Sequence, residues 1–69
     1  MSKETNFAIF CLESYKAYKK LTGKQAVALF NKYGVFDYIT EFYDVLHITG
    51  YNYINNDIDL FLTSRGAVF

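Results

Sequence analysis

Proline is absent, cysteine and histidine occur once each, and there are only four glycines. A single cysteine, Cys11, excludes a disulfide within the chain, and one Cys with one His cannot supply the four ligands of a structural zinc site. No stretch approaches the roughly 20 apolar residues that cross a bilayer. Residues 1–4 lack the basic start and apolar run of a secretory signal, so a cytoplasmic location with no membrane contact is expected. Gly-rich phosphate loops, Cys-x-x-Cys pairs, zincin motifs and nucleophile elbows are all missing. The chain is therefore not expected to be an enzyme or to hold a metal or cofactor. Net charge is zero, which removes the basic signature of a general nucleic-acid or anionic-membrane binder.

Aromatic side chains are what the sequence does have: seven Phe and seven Tyr in 69 residues, within a composition that is 52% hydrophobic. Such a chain is built to bury surface rather than remain disordered. Its length fits one domain, residues 1–69. Domains near this size bury only about 60% of their unfolded-chain surface, so heavy aromatic packing or association must compensate for chain entropy.

Gly23, Gly34, Gly50 and Gly66 each fall where an apolar period stops, as expected of left-handed helix ends. They divide the chain into four segments. Residues 3–21 follow a candidate cap at Ser2 and place Phe7, Phe10, Cys11, Tyr15, Tyr18 and Leu21 on one helical face. Ile9 and Leu12 fall on the opposite side, among Glu13 and the lysines. This second apolar pair fits either a helix sandwiched within its own domain or a partner contact. The next helix opens with a capping box, Thr22 with Gln25, and buries Ala26, Val27, Leu29, Phe30 and Tyr33.

The spacing then predicts a helix over residues 35–48. Its apolar arc takes in Phe36, Tyr38, Ile39, Phe42, Tyr43, Val45 and Leu46, wide enough to predict a central position. Asp37, Glu41 and Asp44 make an acidic stripe on its remaining face. The last segment reads as a helix starting near Asn56 and Asp57, with Ile58, Phe61 and Leu62 inward, Arg65 in the last turn and Gly66 closing it. Residues 51–54 and 58–62 also alternate, so a C-terminal hairpin is the alternative. The expected fold is all-α, a compact bundle of four short helices; with the hairpin it becomes α+β.

His47 with Asp44, one turn apart, is the tempting catalytic pair. Helix-dipole and charge reasons explain it without chemistry. Asp57 and Asp59 lack the glycine and distal acid of a calcium loop and read as part of a helix cap. A helix-turn-helix through Gly34 is the serious nucleic-acid reading, with Lys16, Lys19, Lys20 and Lys24 as a basic surface. Against it, the helix that would enter the groove is acidic and carries no Lys or Arg. Charge is also divided along the chain. Six lysines against Glu4 and Glu13 leave +4 on residues 1–34, while Arg65 against five acids leaves −4 on residues 35–69.

One set of spacings has a family resemblance. It consists of Glu13, Tyr15 and Lys16; Thr22 and Gly23; Leu29, Phe30, Lys32, Tyr33, Gly34 and Val35 with Tyr38 and Ile39; Tyr43, Asp44, Leu46, His47 and Gly50; and Ile54, Asp57, Ile58 and Asp59. In these the chain resembles the small bacterial domain-of-unknown-function family three-seven-nine-one. That resemblance implies a short protein often encoded beside an ADP-ribosyltransferase-like protein, and hence a toxin–antitoxin or other accessory role. It carries no catalytic residues. The expectation is a protein-interaction module, with self-association compatible and a helix-turn-helix DNA-binding regulator as the alternative. Candidate partner-binding residues are Ile9, Leu12, Asp37, Glu41, Asp44, Tyr51 and Tyr53.

Overall fold

The structure, a computed structural model, describes residues 2–49 and 53–67. Its described residues form five α-helices and no strand: α1 (Lys3–Lys19), α2 (Gly23–Tyr33), α3 (Val35–Glu41), α4 (Tyr43–Thr49) and α5 (Ile54–Ser64). The fold is all-α. Five helices replace the expected four because the helix predicted over 35–48 breaks at Phe42, which leaves helical geometry at φ −103°, ψ 23°.

Neither glycine nor proline explains the break. Just before it, the Thr40 hydroxyl donates to the carbonyls of Phe36 at 3.1 Å and Asp37 at 3.2 Å. Such back-bonding favours a bend in the helix. The bend also answers the wide apolar arc, since a straight helix could not bury it all on one side. After the turn, Tyr43 and Leu46 pack into the core while Phe42, Val45 and Ile48 stay exposed.

Helix ends follow local chemistry. Ser2 caps α1, its hydroxyl oxygen accepting the Thr5 N–H at 3.1 Å. The capping box of α2 is complete, with Gln25 N–H donating to Thr22 Oγ1 at 3.1 Å and Thr22 N–H to Gln25 Oε1 at 2.9 Å. Gly34, at φ 70°, ends α2 and immediately starts α3. Gly23 differs from expectation: it is the first residue of α2, and the left-handed residue that ends α1 is Lys20, at φ 57°. Gly50 lies outside the described residues.

In α5, helix begins at Ile54, ahead of the Asn56 expectation, and residues 58–62 lie inside it, so the hairpin is not formed. The reason is burial. Ile54, Ile58 and Leu62 repeat at one-turn intervals and are all fully buried, a stripe that only a helix started early can present.

The core joins Phe7, Ala8, Cys11 and Tyr15 of α1 to Phe30, Val35, Ile39, Leu46 and the α5 stripe. α1 packs against all four other helices, as does α3, whereas α4 rests mainly on α1 and α3. The predicted central helix is thus central only in its first half, and α1 shares the role. Aromatic rings knit these layers: Tyr15 with Phe30 at 5.8 Å, Phe30 with Phe36 edge-on at 5.2 Å, and Phe7 with Tyr43 edge-on at 5.5 Å. Each such pair adds about 0.5–1.5 kcal/mol beyond burial, the kind of compensation a domain this small requires.

Candidate functional site

Two acidic groups of residues separate once their surroundings are compared. On α5, Asp59 turns toward α1, where it accepts the Tyr15 hydroxyl at 2.5 Å and pairs with Lys19 at 3.3 Å. One turn earlier Asn55 accepts from Ser14 at 3.1 Å. Burial, with the Asp59 carboxylate beside it, pushes the Tyr15 hydroxyl well above the ordinary tyrosine range. Asp59 is therefore a fastening between α1 and α5. No cluster suited to a metal ion occurs among the described residues.

On α3, Asp37 and Glu41 form no ion pair among the described residues. They edge an open groove of about 280 Å³ between α3 and the end of α5, lined also by Tyr33, Gly34, Tyr38, Phe42, Phe61 and Arg65. Its floor is aromatic: Tyr38 stacks on Phe61 at 4.3 Å and meets Phe42 at 5.4 Å. The Arg65 guanidinium lies 5.0 Å from the Phe61 ring centre. Burial, and secondarily the Asp57 charge, raises the Tyr38 hydroxyl above its usual pKa.

A second groove of about 260 Å³ lies between α1 and α4, lined by Lys3, Asn6, Phe7, Phe10 and Tyr43, with the Lys3 ammonium 5.6 Å from the Tyr43 ring centre.

The sequence candidates divide accordingly. Asp37 and Glu41 share the α3–α5 groove; Asp44, beyond the break, does not line it. Ile9 is exposed on α1, while Leu12 is half-buried against the core. Tyr53 is exposed beside the start of α5. Tyr51 lies outside the described residues. Phe42, Phe61, Tyr38 and Arg65 were legible only as core or helix-end residues; the signal that could have placed them at a site was an apolar arc wider than the core could use.

His47 and Asp44 do not bond to each other among the described residues. The His47 Nδ1–H donates to the Tyr43 carbonyl at 2.7 Å, and the ring stacks on Tyr43 at 4.3 Å. Cys11 is wholly buried, and burial pushes its thiol up to about 12, so it behaves as a core residue. Of the lysine cluster, Lys19 is engaged with Asp59 and Lys16 with Glu13 at 3.1 Å. No described helix is long and apolar enough to cross a membrane.

A family model described as "Protein of unknown function (DUF3791)" matches residues 6–65. The chain belongs to this family. The matched span of DUF3791 runs from the first turn of α1 to the residue that closes α5, so it contains the whole α3–α5 groove. No curated protein and no solved structure matches the chain.

Proposed function

We propose that this DUF3791 protein is a protein-interaction module of the bacterial cytoplasm, an antitoxin-like or accessory partner of an ADP-ribosyltransferase-like protein. The observation that carries the reading is the α3–α5 groove: an aromatic floor with Phe42 exposed, beside two carboxylates that have no ion-pair partner among the described residues. Aromatic rings with a polar rim are the usual anatomy of a protein-binding patch, and complementary charge steers the partner in. Family resemblance supplies the enzyme class. The acidic outer side of α3 weighs against a role for that helix in a DNA groove, where approach to phosphate would be repulsive.

The test is co-expression with an ADP-ribosyltransferase-like protein encoded beside the gene. The expected result is co-elution on size-exclusion chromatography and relief of the enzyme's toxicity or activity. Separate elution with unchanged toxicity and activity would remove the reading.

A further inference from the structure

We propose that the α3–α5 groove seats a cationic side chain, arginine or lysine, carried on an apolar segment of a partner protein. The proposal deepens the protein-binding reading above and rests on it. Tyr38, Phe42 and Phe61 line the groove; Tyr38 and Phe61 stack on each other, and Phe42 is the exposed ring, whose face can attract a cation. Asp37 and Glu41, one helical turn apart at its edge, have no cation of their own among the described residues and can accept charge-assisted hydrogen bonds. The groove already accepts this chemistry, since the chain's own Arg65 lies 5.0 Å from the Phe61 ring centre. Arg65 thus lies over Phe61 and leaves Phe42 with the two acids. At about 280 Å³ the space is below the range of most small-molecule sites and suits one long side chain. The groove holds two carboxylates against the one guanidinium of Arg65, a balance that favours a cationic over an anionic occupant. Phe42 is 46% exposed, which gives the flanking apolar residues of the partner segment something to cover.

The experiment is an NMR titration of isotopically labelled full-length protein with a capped pentapeptide of alternating leucine and arginine. A pentapeptide with glutamate in place of arginine is the control. The expected result is a progressive shift of resonances from residues 37–42 and 61–65 with the arginine peptide only. Added salt should weaken it several-fold. The double variant Asp37→Asn with Glu41→Gln, whose surface positions leave the fold intact by circular dichroism, should lose about tenfold in affinity, the equivalent of about 1.4 kcal/mol.

The proposal is overturned if the arginine peptide shifts nothing in the groove or if the glutamate peptide shifts it equally. Movement of the same resonances on simple dilution of the protein would also overturn it, because a second copy would then be the occupant. The co-elution assay separates the two claims. An enzyme that binds the double variant as well as the natural chain removes the groove proposal and leaves the functional reading standing. A peptide that binds while the enzyme does not co-elute removes the enzyme assignment and leaves the groove.

Discussion

Two surfaces of this small protein carry acidic residues, and they use them in opposite ways. At the α1–α5 seam, Asp59 is held by a buried tyrosine and a lysine. On the outer side of α3, Asp37 and Glu41 stand at the edge of an aromatic groove with no described cation to neutralise them. The first arrangement closes part of the charge division between the two halves of the chain within one molecule. The second leaves the rest for something else. Under the proposal above, stability and recognition fall to different acids, although in the sequence they look alike.

The largest effect should come from the seam. Tyr15→Ala removes a fully buried ring that packs on Phe30 and leaves Asp59 without its donor. A loss of about 3–5 kcal/mol is expected, comparable with the whole stability of a domain this size, and urea denaturation should find the variant largely unfolded. Should it remain stable, the seam is not what holds α5 to α1.

Alkaline pH should act next, through groups whose protons burial holds on. Folded Cys11 keeps its proton because burial raises it from 9.0 to about 12, while the unfolded chain releases that proton. Stability is thus constant below about pH 9 and falls above it, by about 1.4 kcal/mol per pH unit from this group. Tyr15 and Tyr38, both raised, add to the fall above about pH 10. Denaturation midpoints from pH 7 to 11 check this, and Cys11→Ala should flatten the part between 9 and 10.

Smaller again is Asp59→Ala. Leaving the buried Tyr15 hydroxyl without this acceptor should cost about 1–3 kcal/mol, with Asp59→Asn recovering most of it. The smallest effect sharpens the contrast. Asp37→Asn with Glu41→Gln should change stability by no more than about 0.5 kcal/mol, because these exposed side chains support nothing within the described fold. A large loss there would mean that the two acidic surfaces are not distinct in role.

Much of the fold could be read from residue spacing. The caps at Ser2 and Thr22 are local patterns of hydroxyl and amide, and local patterns survive folding unchanged. The all-α class and the Gly34 junction follow from period and from a single permissive residue. The break at Phe42 could not be read, because the apolar period runs through it almost intact. The early start of α5 was hidden for a related reason: Asn56 before Asp57 looks like a helix cap, and only burial of Ile54 against other helices overrides it. For the candidate site, Asp37 and Glu41 were visible as a stripe. The aromatic floor beneath them was not, since it is assembled from α3, the break and α5. No pattern along one helix encodes a pairing such as Tyr38 on Phe61.

Lys20 holds the left-handed turn that ends α1, a geometry in which an L side chain carries about 1–2 kcal/mol of steric cost and glycine carries none. The side chain is exposed, so Lys20→Gly would sacrifice little packing. The protein thus leaves roughly 1 kcal/mol of folding free energy unclaimed at one accessible position. That reserve is larger than anything the groove acids contribute to the fold, and one codon would release it.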